Sequence, residues 1–160
     1  MAEGPLPDSF AFWRYSQRLY HSYGELWLSR GDLGRAAGYA EQCLDLAEGN
    51  ISRKYIVQGR RLQAQVRMAE GGLDEAEQDL AVALELAHDV GNPPQLWKTY
   101  AALGDLRLAQ GRAKEARQPY REALSVIDTV AASLTDEELR DTFLASNDVE
   151  QIRRAAASAG

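Results

Sequence analysis

Three stretches of the chain read alike: GDLGRAAGYAEQCLDLA at 31–47, GGLDEAEQDLAVALELA at 71–87 and GRAKEARQPYREALSVI at 111–127. Their leading glycines stand 40 residues apart. Five positions on come Ala36, Ala76 and Ala116, then Ala40, Leu80 and Tyr120, then Cys43, Ala83 and Ala123, and last Leu44, Leu84 and Leu124. Upstream of the glycines, Gly24, Ala64 and Gly104 align, as do Leu26, Val66 and Leu106. Small and apolar residues thus recur at helical spacing on both sides of a turn, and the small ones let two backbones approach closely. Each unit is a helix, a short turn and a second, antiparallel helix.

Capping chemistry sets the expected boundaries: helices at about 8–29, 33–48, 51–69, 73–89, 94–110 and 113–132. Gly31, Gly71 and Gly111 suit the left-handed residue that closes a helix. Asn50 and Asn92 are candidate N-caps, with Pro93 in a first turn. Beyond Ala132 the pattern changes. Thr135 with Glu138, and Asn147 with Glu150, read as capping boxes that open short helices near 136–145 and 148–157. These form a C-terminal cap on one domain, 1–160, of three hairpins at about 8–48, 51–89 and 94–132.

Composition agrees with that all-α reading. Ala and Leu number about 45, against about 15 for Val, Ile and Thr, which follows helix preference rather than sheet. The net charge of −6 disfavours nonspecific binding to nucleic acid or anionic lipid. The single Cys43 excludes an internal disulfide framework. No apolar run approaches the roughly 20 residues that span a bilayer, and no signal segment opens the chain, so a cytoplasmic location is expected.

The units resemble tetratricopeptide repeats, over about residues 17–130. The resemblance implies helix pairs stacked into a right-handed superhelix that binds a protein or peptide on its concave side. Two features depart from the common pattern. The period is longer than the usual repeat of about 34 residues, as in long-repeat subfamilies. In the second copy, Arg60 and Gln63 replace Tyr20/Tyr100 and Tyr23/Leu103. The last third, with SLTDEELRDTFL after the third repeat, resembles the C-terminal end of large bacterial signalling regulators. Some members of the family grip a chaperone's C-terminal carboxylate; the matching positions here are His21, Glu25, Leu62, Lys98 and Ala102. Only Lys98 fits, so that ligand mode is not expected.

Catalytic chemistry finds little support. His21 and His88 lie in no metal-ligand spacing, and GNPPQLWKT has Trp97 where a phosphate-binding loop needs glycine. Cys43 aligns with two alanines and reads as core. Neither enzyme activity, nor a metal, nor a cofactor is expected. Pro119 is expected to kink the last repeat helix gently on its convex face. Close packing against the ring-rich first helix is the expected compensation for Gly34 and Gly38.

Two anomalies point to binding. Seven of the thirteen aromatics fall in the first 27 residues. One arc, Phe12, Tyr15, Leu19 and Leu26, is expected to face the array. A second, Trp13, Tyr20 and Trp27, extends the apolar surface, so Phe12, Trp13, Tyr20 and Trp27 are candidate interface residues for a partner or a homodimer. The other anomaly is charge: between Glu48 and Glu70 stand Arg53, Lys54, Arg60, Arg61 and Arg67 with no acid. Glu41, Asp45, Asp74 and Glu77 are the acids expected to offset them.

In register, the inward positions of the first helices are Arg14, Arg18, His21 and Glu25; Lys54, Gln58, Arg61, Gln65 and Met68; and Lys98, Ala101, Asp105 and Leu108. Arg18, Arg61 and Lys98 gather at the N-terminal ends, beside the positive helix dipoles. The expected function is a non-catalytic scaffold holding a protein or peptide segment in this groove, an acidic segment being one that Arg61, at its centre, would suit. The alternatives are a C-terminal sensor or assembly segment of a larger regulator acting through the aromatic edge, and a small acidic ligand in the groove.

Overall fold

The computed structural model describes the backbone of residues 9–159 and the side chains of residues 15–159. The turns are fixed first. Gly31, Gly71 and Gly111 all have φ between 73° and 88°, the left-handed conformation that ends each first helix and that a Cβ would oppose. Around them run α1 (Ser9–Ser29), α2 (Leu33–Gly49), α3 (Arg53–Glu70), α4 (Leu73–Val90), α5 (Pro93–Ala109), α6 (Ala113–Ser133), α7 (Glu137–Leu144) and α8 (Asn147–Ser158).

Caps move three of the expected boundaries. Asn92 does cap α5, accepting from the Gln95 N–H, with Pro93 as first helical residue. Asn50 instead ends α2, its side-chain amide donating to the Leu46 carbonyl at 2.8 Å. Ile51 follows with φ +52°, at the position where the next repeat has Gly91. α7 is capped by Asp136, which accepts from the Leu139 N–H at 2.9 Å, rather than by Thr135. α8 opens after Ser146 rather than Asn147.

Small residues admit large ones. A Cβ on Gly104 would lie 2.7 Å from the Tyr120 ring, and one on Gly59 would lie 2.8 Å from Leu44. Ala36, Cys43, Ala76, Ala83, Ala116 and Ala123 are all wholly buried, so the aligned small positions are the hairpin cores. Gly34 and Gly38 differ: among the described residues a Cβ on Gly38 would meet nothing within 4 Å, so close packing does not account for it. Pro119 is buried, not on an outer face, and α6 runs unbroken through it.

The hairpins stack in two layers. The first helices touch one another, α1 with α3 and α3 with α5, while the second helices make no comparable contacts. Crowding on one side and splaying on the other curves the stack, with α1, α3 and α5 on the inner face. Its C-terminal end is sealed: Val149 and Ile152 of α8 join Trp97, Tyr120 and Ile127 in one buried cluster, and Phe143 of α7 meets the Trp97 ring edge-on.

The expected arcs of α1 are exchanged. Tyr15 (72% exposed), Leu19 (51%) and Leu26 (39%) face outward, and Tyr23 (40%) lies at the edge of that arc with its ring 5.3 Å from Tyr39 of α2. Tyr20 and Trp27 are half-buried toward α2, Tyr20 near the Tyr39 ring and Trp27 beneath the Arg35 guanidinium at 4.2 Å. The Phe12, Trp13 and Arg14 side chains lie outside the described residues.

Candidate functional site

Along α3, three of the arginines pair with acids of the neighbouring helices. Arg60 donates to Glu48 (2.9 Å) and Asp79 (3.2 Å), Arg67 lies 2.8 Å from the other Asp79 oxygen, and Arg53 reaches Asp89 at 3.8 Å. The acids that offset this basic run are therefore Glu48, Asp79 and Asp89, not Glu41, Asp45, Asp74 or Glu77. Glu77 bridges instead to α5, accepting from Arg107 (2.6 Å) and Gln110 (2.9 Å), which pulls its carboxyl down to about 2. Arg60 thus has a structural reason for departing from the aromatic of the other copies: it reaches Asp79 across the hairpin.

Arg61 is different. It is 5% exposed, yet among the described residues its Nη1 donates only to neutral oxygens of α5, Gln95 Oε1 at 3.2 Å and Thr99 Oγ1 at 3.3 Å. Those two residues are themselves buried, and Thr99 Oγ1 donates to the Gln95 carbonyl at 2.6 Å, so the pair is a fixed support. Among the described residues Arg61 makes no ion pair with Glu25 or Asp105. Burial pushes the guanidinium down to about 10, against the pull of Glu25 and Asp148, so it stays charged at neutral pH.

Beside it opens a cavity of about 370 Å³ on the inner face, lined by Glu25 of α1, Arg61 and Gln65 of α3, Lys98, Ala101 and Asp105 of α5, and Tyr120 of α6. α8 supplies the remaining wall with Asp148, Gln151, Ile152 and Ala155. Five expected groove residues are therefore brought together: Glu25, Arg61, Gln65, Lys98 and Asp105. His21 stands next to them, its Nδ1 3.4 Å from Glu25, and holds the Glu25 carboxyl below its usual range. Asp105 accepts from the Tyr120 hydroxyl at 2.5 Å, while burial pushes its carboxyl up. Lys98 is drawn to Asp148 at 2.5 Å, an exposed pair worth roughly 0–1 kcal/mol.

Four expected residues stand apart from the cavity wall. Arg18 and Lys54 are exposed, Lys54 with its ammonium 5.9 Å from the Tyr55 ring. Gln58 is half-buried, and Met68 packs on the cluster of Ala64, Leu80 and Leu106. Leu62 and Ala102, at positions of the chaperone-tail clamp, are wholly or almost wholly buried and offer nothing to a carboxylate. Sequence reasoning missed Gln95 and Thr99, although they break an apolar column that includes Tyr55; a polar pair at such a column was the available signal. It missed the α8 wall because a capping helix carries no repeat register.

Other chemistry is sparse. Cys43 is buried and its thiol is pushed up to about 11, which leaves it protonated and unreactive. Among the described residues no three His, Cys, Asp or Glu side chains cluster to hold a metal ion, and no helix is long and apolar enough to cross a membrane.

Helix hairpins at a fixed repeat, curved around a supported cavity, define a helical-repeat solenoid. Residues 57–128, from the second turn of α3 through most of α6, match the family model described as tetratricopeptide repeat. No curated protein matches the chain, and no solved structure does. A tetratricopeptide segment is generally a non-catalytic protein-interaction module, and the folded unit here extends the pattern to a further hairpin before it and a two-helix cap after it.

Proposed function

We propose that the protein is a scaffold that holds a protein or peptide segment on its inner face, with an acidic side chain of that segment seated on Arg61. The observation that carries this reading is a buried, charged guanidinium whose hydrogen-bond partners are both neutral. An incoming carboxylate would form charge-assisted bonds there in surroundings that screen little. Lys98 adds a second cation, since the exposed Asp148 competes weakly for it. The cavity also contains Glu25 and Asp105, so it suits a segment in which the acid is flanked by a hydrogen-bond donor or a base, rather than a uniformly acidic run. The support is preformed, which lowers the ordering cost of binding.

Fluorescence anisotropy with a labelled peptide of alternating Glu and Lys tests the reading, with an all-Lys peptide as comparison. The alternating peptide should bind, Arg61→Met should weaken it about ten- to a hundredfold, and added salt should weaken it further. Lys98→Glu, at an exposed position, should act in the same direction. Binding that ignores both substitutions, or that prefers the all-Lys peptide, would contradict it.

A further inference from the structure

The outward stripe on α1 occupies the positions by which the later first helices pack on the hairpin before them. Tyr15, Leu19 and Leu26 align with Tyr55, Gly59 and Val66 of α3 and with Gln95, Thr99 and Leu106 of α5. All six of those later positions are buried. The elements covering them belong to the preceding hairpin: Gly59 presses on Leu44 of α2, and Leu106 packs with Ala76 and Leu80 of α4. On α1 the same positions are 39–72% exposed. Tyr15, Leu19 and Leu26, with the exposed edge of Tyr23, form the kind of patch that single proteins rarely leave open.

We infer that this face is closed by a second copy of the chain, α1 lying antiparallel on α1 about a two-fold axis near His21. The charges beside the stripe select that occupant. In an antiparallel helix pair, each flank of one helix meets the same flank of the other. Arg18 and Glu25 lie seven residues apart on one flank, the side toward the inner face, and both are exposed. An axis near residue 21 sets Tyr15 across from Leu26, Leu19 across from Tyr23, and Arg18 across from Glu25 of the other copy. The contact is self-complementary in shape and in charge: each copy offers the acid that the other's base requires. Glu25 also borders the groove cavity, so its substitution can touch both sites, whereas Leu19 lies on the stripe alone and separates the two.

Sedimentation equilibrium of the 160-residue chain up to about 100 µM, a range that detects weak specific dimers, tests it. The wild type should be a dimer. Leu19→Asp should be a folded monomer by circular dichroism, because Leu19 is half exposed in the single chain. Arg18→Glu and Glu25→Arg should each weaken the dimer about tenfold, since each sets two like-charged pairs face to face. The double swap should restore it. A monomeric wild type, or a dimer untouched by Leu19→Asp, would overturn the proposal; a double swap that fails to restore association would overturn the antiparallel arrangement.

Discussion

Asp79 and Arg61 are both buried charges, 3% and 5% exposed, placed where one helix meets the next. Asp79 on α4 is closed in: Arg60 and Arg67 of α3 approach its two oxygens, and Arg60 continues to Glu48 of α2. Arg61 on the same α3 is held by a glutamine and a threonine, with a cavity beside it. The first charge is balanced within the molecule and ties three helices together. The second is supported but not balanced, and on the proposed reading that difference separates a structural ion from a binding one. Even the closed cluster is imperfect, since Arg60 Nε and one Asp79 oxygen lack an aligned hydrogen-bond partner. Burial outweighs both arginines and pushes the Asp79 carboxyl up.

Removing the closed charge should have the largest effect. Asp79→Ala strands two guanidiniums, and we expect a loss of about 2–3 kcal/mol in urea unfolding, below the range for wholly buried pairs because both arginines are partly exposed. The opposite treatment of the open charge should do little: Arg61→Met should leave stability within about 1 kcal/mol of wild type, because a buried charge without a counter-ion can be replaced by an apolar side chain at small cost. If Arg61→Met instead destabilised as much as Asp79→Ala, Arg61 would be structural and the contrast would fail.

Acid sharpens the same contrast through Glu77. Its folded carboxyl lies near 2, below the ordinary 4.5, so the stability it contributes is complete above about 4.5 and is lost as pH falls toward 2. Asp79 runs the other way, its raised carboxyl favouring the folded state on acidification through the range just above 3.8. Glu77→Gln should therefore reduce the acid-side loss of stability, by a modest amount because Glu77 is 39% exposed and screened. The smallest effects lie away from both clusters. Ile51→Gly should stabilise by about 1 kcal/mol, since a β-branched residue at φ +52° and 81% exposed carries strain with little burial to lose. Gly38→Ala should add about 0.5–1 kcal/mol, its Cβ meeting open space.

The repeat was legible because its signals are local. Glycines that must turn and small residues that must admit Leu44 or Tyr120 recur at one period, and they fixed the hairpins and the inner face. Arg61, Lys98, Glu25, Gln65 and Asp105 followed from that register. What stayed hidden depends on long-range docking. The approach of α8 to the cavity, and with it the Lys98–Asp148 pair, leaves no periodic trace. The exposed arc of α1 was readable in principle, since Leu19 aligns with Gly59, but the face that a repeat turns toward its predecessor carries the same apolar pattern as core. Asn50 read as an N-cap because its side chain suits either helix end, and only the backbone at Ile51 decides between them.

The contrast between the two charges can be read atom by atom in one titration. With the arginine side-chain Nε–H resonances assigned, the alternating Glu–Lys peptide is added and the Arg60, Arg61 and Arg67 signals are followed by NMR. Arg61 should show a saturable shift while Arg60 and Arg67 stay in place. An unmoved Arg61, or three signals moving alike, would contradict it.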